Sequence, residues 1–196
     1  MKQIGRSMIE MLGVLAIIGV LTIGSITGYS RAMRRHLLNK QREQISYILS
    51  AIETHRDMLD ISPNSTLPYH LKPIFETFGW IPEEMIKNSN VFVYDVFRNQ
   101  IMPYHHEAGF MGLEIKLAND NPHEQCVNLY QMSQQYHSFL WLTEVRKAAN
   151  SYTNFYRGDK YCSGNDCLRD LTPAKISELC RVCDDAQSCN LYILWK

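Results

Sequence analysis

The stretch that decides the fold is the first one, MKQIGRSMIEMLGVLAIIGVLTIGSITGYS, residues 1–30. A short head carries Lys2 and Arg6, and a lone carboxylate, Glu10, follows. From Met11 to Gly28 there are then 18 residues without a charge. As a helix, rising about 1.5 Å per residue, that run is about 27 Å long. With Met8 and Ile9 it nearly crosses a hydrocarbon core of about 30 Å. It is longer than the apolar core of a usual secretory signal, and no small-x-small cleavage site closes it. The plain reading is a single membrane-spanning helix. Glu10 stands out because a carboxylate entering lipid is costly, so it is as a rule paired, held at headgroup level or functional.

Outside this run the charge is dense and balanced. The chain has 196 residues, 20 Lys plus Arg and 20 Asp plus Glu, for a formal net charge of zero. Nothing marks a nucleic-acid binder, an acidic tail or a polybasic surface. A hydrophobic fraction of 45% with 11% aromatics describes a packed domain rather than a disordered one. A mean hydropathy of −0.25 excludes a polytopic membrane protein.

From Tyr29 to about Leu59 neither Gly nor Pro interrupts the chain. Leu38, Ile45, Ile48, Leu49, Ile52 and Leu59 recur at helical spacings, leaving a polar face of Arg34, Lys40, Gln41, Arg42, Glu43 and Ser46. The pattern predicts an amphipathic continuation of the helix over residues 29–60, ended by Ser62, Pro63, Asn64 and Ser65. A globular head follows over 61–196. Pro68, Pro73 and Pro82 predict loops with one or two short helices between Leu67 and Ser89. Strands are expected at Val91–Phe97, Phe110–Leu117, Phe139–Val145 and Asn190–Trp195. A helix is expected over His123–Tyr136, with Cys126, Leu129, Tyr130 and Ser133 on one face. This order describes an α+β fold with a largely antiparallel sheet.

Gly5, then Glu10 as the fifth residue after it, then an unbroken apolar helix: this spacing resembles the processing site of type IV prepilins. The resemblance runs from Gly5 to about Ile52, and GRSMIEMLGVLAIIGVL carries it. It implies a leader of residues 1–5, removed by prepilin peptidase, which then methylates the new amino terminus at Arg6. It implies a transmembrane and filament-core helix over 6–28. The physics agrees: a new α-amino group is a cation, and Glu10 is an anion about one turn away. In a filament, Glu10 of one subunit can neutralise the amino terminus of its neighbour and so set axial register. Leaving either charge buried alone costs on the order of 3–5 kcal/mol. The chain departs from the family in having Arg6 where an apolar first residue is usual. It also lacks a mid-helix Pro near Thr27. Gly19, Gly24 and Gly28 lie there among β-branched residues, and both types weaken a helix. The expectation is a helix that loosens around Gly24–Gly28 when drawn into a filament.

The head resembles, more loosely, those of the larger type IVb pilins, in which a cysteine-bearing helix is stapled to a C-terminal cysteine loop. Cys126 opens such a helix, and TPAKISELC, Thr172–Cys180, resembles the segment that closes the loop. All six cysteines lie in the last 71 residues. Cys162-x4-Cys167 and Cys180-x2-Cys183, twelve residues apart, are also near the spacing of a four-cysteine zinc ribbon. Six cysteines allow 15 pairings. With the prepilin resemblance, disulfides are favoured, and the expected set is Cys126–Cys180, Cys162–Cys167 and Cys183–Cys189. The first would close a loop worth about 3–4 kcal/mol in the chain-entropy model.

Topology poses a conflict. Arg31, Arg34, Arg35, Lys40 and Arg42 follow the span, and the positive-inside rule would place that side in the cytoplasm. The prepilin resemblance places it outside. Other clusters are weaker. His105, His106 and Glu107 are a tempting metal cluster, but neighbours in a strand point to opposite faces and cannot easily share a metal, so a solvated loop is the favoured reading. Asp184 and Asp185 are a short acidic pair, well below the six to eight oxygens calcium takes. No phosphate loop, nucleophile elbow or His-Glu-x-x-His is present, and no cofactor or enzyme activity is expected. The expected function is that of a structural subunit of a type IV, type IVb-like pilus. Its partners would be copies of itself, prepilin peptidase and the inner-membrane assembly machinery. It would lie in the bacterial inner membrane before assembly and in an extracellular pilus after it. The alternatives are a pseudopilin of a type II secretion system, periplasmic in place, and a signal-anchored protein with a cytoplasmic zinc domain.

Overall fold

The computed structural model describes residues 4–62, 65–147, 155–184 and 189–196. Pro63, Asn64 and Asp185, weighed above, lie outside them. Packing divides the chain into two units, Met1–Asn39 and Lys40–Lys196. Helix α1, Ile4–His55, runs unbroken for 52 residues and contributes to both.

In the first unit every residue from Glu10 to Met33 is exposed, and Ile17, Leu21 and Ile23 are each more than 60% exposed. Such a helix needs lipid or protein around it, because apolar side chains in water carry the full hydration penalty. Thr22, Ser25, Thr27 and Ser30 each donate a hydroxyl to the carbonyl four residues back, at 2.7–3.0 Å. These bonds compete for the ladder's own acceptors and soften a helix. They fall on the stretch that holds Gly24 and Gly28, while the helix itself stays continuous.

In the second unit the last turns of α1 join a six-stranded sheet in one core. Ile45, Ile48, Leu49 and Ile52 are fully buried there with Met111, Leu113, Ile115, Leu191, Ile193 and Trp195. The strands are β1 (Val93–Tyr94), β2 (Gln100–His106), β3 (Phe110–Leu117), β4 (Leu142–Lys147), β5 (Phe155–Arg157) and β6 (Cys189–Trp195). Their order is β1-β2-β3-β6-β4-β5, and all five pairings are antiparallel. The last strand in sequence therefore lies inside the sheet, between β3 and β4. Helices α2 (Lys72–Thr77), α3 (Pro122–Ser133) and α4 (Pro173–Cys180) complete the unit. The fold is α+β and pilin-like: a long N-terminal helix whose C-terminal turns pack on an antiparallel sheet, with disulfides in the C-terminal region.

Three local expectations change. The strand read at Val91–Phe97 shrinks to Val93–Tyr94, because Asp95 turns the chain: its Oδ1 accepts from the amides of Phe97 and Asn99, both at 2.9 Å. Arg98, at φ 64°, completes the reversal into β2. His105 and His106 lie on that strand rather than in a solvated loop, with His105 buried and His106 exposed, on opposite faces. Strand β4 starts at Leu142, three residues later than the apolar run at Phe139 suggested. Phe139 and Leu140 instead close a turn whose amides donate to the Tyr136 carbonyl.

Candidate processing and assembly site

Gly5, Arg6 and Glu10 all lie in the first turns of α1. Five helical steps lead from Gly5 to Glu10, about 7.5 Å along the axis. Glu10 is exposed. From Glu10 onward the helix is long and apolar enough to cross a membrane. Its most apolar 18-residue stretch has a mean hydropathy of 2.1, with none of it buried. The geometry presents a carboxylate at the head of a bare apolar rod. It can serve both insertion in lipid and lateral association with other helices.

The six cysteines form Cys126–Cys180, Cys162–Cys167 and Cys183–Cys189, the set expected above. Cys126–Cys180 joins α3 to α4 across 54 residues of sequence, with a Cα–Cα distance of 5.8 Å. Cys183–Cys189 ties the turn after α4 to the start of β6. The cysteines of the zinc-ribbon spacing are thus divided among three disulfides, and no thiolate remains to ligate zinc. Thr172 caps α4 by accepting from the Lys175 amide, and Pro173 follows at the first helical position, which fixes where that helix starts.

A buried polar cluster escaped the sequence reading. Gln41, expected on the polar face of α1, is fully buried. Its Nε2 donates to Asp95 Oδ2 at 2.7 Å and to Gln125 Oε1 at 3.0 Å. The Asp95 carboxylate also accepts from Asn99 Nδ2 at 2.9 Å, besides the two amides already described. Burial nevertheless holds the Asp95 carboxyl above its ordinary value, the donors only partly opposing it. Gln125 Nε2 in turn donates to the Asp120 carbonyl at 2.8 Å, holding the left-handed corner at Asp120 and Asn121 that caps α3. Gln44 Oε1 accepts from the Val96 amide at 2.9 Å. One cluster thus locks α1, the turn into β2 and α3 together. The only sequence signal was amides at core-facing spacing, which periodicity of apolar residues does not register.

Asp184 contacts a side chain rather than standing in an acidic cluster: its Oδ1 lies 2.7 Å from His123 Nδ1. His123 Nε2 lies 3.3 Å from Ser177 Oγ. Serine, histidine and aspartate in line is the order of a nucleophile relay. Ser177, however, sits inside α4, where its amide belongs to the helix's own ladder and cannot serve as an oxyanion donor. The arrangement acts as a clamp between α3 and the end of α4. Comparison with known protein families and with curated proteins finds no match to this chain.

Proposed function

We propose that this chain is the structural subunit of a type IV, type IVb-like pilus. It inserts in the bacterial inner membrane through residues 6–28, loses its leader after Gly5 to prepilin peptidase, and polymerises by burying α1 among copies of itself. The observation that carries the reading is the division of one helix. Residues from Met11 to Gly28 are exposed and carry no charge, while Ile45, Ile48, Leu49 and Ile52 belong to the core of a disulfide-bonded head. A rod of that kind, once out of lipid, is stable only when neighbours cover it. Repeating that contact head to tail, by a rotation that does not close on itself, builds a helical filament. Glu10 is the charge that fixes register, through the amino terminus of the next copy.

The test is a pair of measurements on the membrane-extracted protein. Intact mass should place the amino terminus at Arg6, and a retained Met1 would end the proposal. Glu10→Ala should leave cleavage unchanged and stop assembly, since a buried amino terminus without its partner costs about 3–5 kcal/mol per subunit. Normal filaments from that variant would refute the register role. Filaments confined to the periplasm would assign the chain to a secretion pseudopilus instead.

A further inference from the structure

We infer that the face of the sheet turned away from α1 binds a neutral, β-1,4-linked saccharide. The aromatic ribbon from Tyr69 to Trp141 supports the apolar face of its pyranose rings, and Glu114 and Tyr192 hydrogen-bond its hydroxyls. The site lies wholly in the second unit and does not depend on the filament reading.

Strand alternation gives the sheet two faces. Leu113, Ile115, Leu191 and Ile193 belong to the core shared with α1, whereas Tyr104 and Leu194 head a separate cluster with Phe110, Trp141 and Tyr192. Tyr104, Gly112 and Leu194 stand side by side on β2, β3 and β6. The Tyr104 ring leans over Gly112, where a Cβ would come within 3.0 Å of it, so the glycine lets the ring settle on the sheet. Ring contacts then run on without a break. Centroids are 5.7 Å apart for Tyr69 and Tyr104, 6.3 Å for Tyr104 and Phe110, and 5.2 Å for Phe110 and Trp141. Tyr69 is 50% exposed, and Phe110 and Trp141 are half-buried. In the next row Glu114 neighbours Tyr192, and its Oε1 accepts from the Tyr192 hydroxyl at 3.1 Å and from Asn190 Nδ2 at 2.8 Å. Burial first, and the Glu114 charge besides, hold the phenols of Tyr69, Tyr104 and Tyr192 above their ordinary values. Three neutral hydroxyls therefore gather about one carboxylate at the border of the ribbon.

This composition selects the ligand. A pyranose has an apolar face of C–H groups and a rim of hydroxyls, each both donor and acceptor. It fits ring surface bordered by phenols, an amide and a carboxylate. Single-stranded nucleic acid also stacks on aromatic rings. Here, however, a polyanion would meet Glu114 and Glu144, which share this face on either side of Tyr192. The cations are already engaged within the face. Arg146 pairs with Glu144 and lies 4.7 Å from the centroid of the Tyr192 ring, and the Lys196 ammonium lies 4.0 Å from that of Trp141. A ligand that needs no counter-charge suits such a surface. The linkage follows from shape: β-1,4 bonds between pyranoses keep a chain extended and flat, as the sheet face is, whereas α-1,4 bonds coil it.

The experiment places the full chain in phosphatidylcholine nanodiscs, free of sugar-headed detergent. It is titrated with cellohexaose, N-acetylated chitohexaose, maltohexaose and a single-stranded oligothymidylate, followed by calorimetry and tryptophan fluorescence. Trp80 and Trp195 are buried, so a ligand-dependent shift reports Trp141. At least one β-linked hexasaccharide should bind saturably and shift the emission, and α-linked maltohexaose should bind more weakly. Tyr69→Ala, at the most exposed ring of the ribbon, and Glu114→Gln should each weaken binding by about 2–10-fold, with thermal unfolding showing that the head stays folded. Absence of binding by both β-linked sugars overturns the inference. So does maltohexaose bound as tightly, or undiminished affinity in either variant. Tighter binding of the oligothymidylate overturns it in favour of a nucleic-acid surface. None of these results touches the filament reading, and a chain that keeps Met1 yet binds the sugar leaves the site standing.

Discussion

Removing the Asp95 carboxylate should destabilise the head more than its single position suggests. The side chain accepts four hydrogen bonds, from the amides of Phe97 and Asn99 and from the side chains of Gln41 and Asn99. In Asp95→Ala, Gln41 and Asn99 still have the Gln125 oxygen. The amides of Phe97 and Asn99 are buried and have no second acceptor described. Each unpaired buried donor costs about 1–3 kcal/mol. Relief of the carboxylate's own desolvation offsets part of this, so the net loss should be about 3 kcal/mol. For a head of this size that corresponds to a fall of about 6–12 °C in Tm. The assay is thermal unfolding of the full chain in detergent, followed by tryptophan fluorescence, since Trp195 is fully buried. A double-mutant cycle with Gln41→Ala should show a coupling of about 1–2 kcal/mol. Losses that add within about 0.5 kcal/mol would refute the cluster as a cooperative lock between α1 and the turn into β2.

Three further outcomes follow from the same structure. Burial raises the Asp95 pKa in the folded state, so the folded head takes up the proton first as pH falls. Its contribution is therefore present below the ordinary carboxylate value and lost as pH rises through the raised one. The stability of the native chain minus that of Asp95→Asn should accordingly increase from pH 7 towards pH 4, and a flat difference would contradict the sign. Replacing Cys126 and Cys180 together by Ala should cost about 4 kcal/mol in the chain-entropy model, measured by denaturant unfolding, and a loss below about 1 kcal/mol would remove that disulfide as a staple. Gly158→Ala should prevent the segment after β5 from docking, because its Cβ would meet the backbone carbonyl oxygens of Leu140 and His137. Native-like exchange of the amide at position 158 in that variant, where the native N–H donates to the Trp141 carbonyl, would show that the backbone yields there.

Long, strongly patterned features were legible from the sequence, and features made by one polar side chain were not. The stripe Ile45, Ile48, Leu49 and Ile52 reads as a core face because period and burial coincide along a helix. Strand β3 was legible over its whole length, Phe110–Leu117, since β-strand alternation and end signals agree there. The pair β1–β2 was not, because Asp95 supplies through its carboxylate the acceptors that a longer strand would have used, and no composition rule weighs that competition. Strand β2 was missed altogether. Pro103 and two histidines argue against a strand locally, yet pairing with β3 through seven residues overrides that preference. At the candidate site, spacing alone singles out Gly5 and Glu10, and the structure adds that both lie in the first turns of α1. Gln41 was hidden because amides at core positions look like an ordinary solvated face until the partner residues, Asp95 and Gln125, are brought to them by the fold.

The central claim is that this helix builds a filament. Electron microscopy of surface appendages tests it most directly, comparing cells with and without the gene for this chain. The account predicts pili that vanish with the gene, return with it, and contain a chain whose amino terminus is Arg6. Filaments that persist unchanged while the protein stays in the membrane with Met1 intact would contradict it.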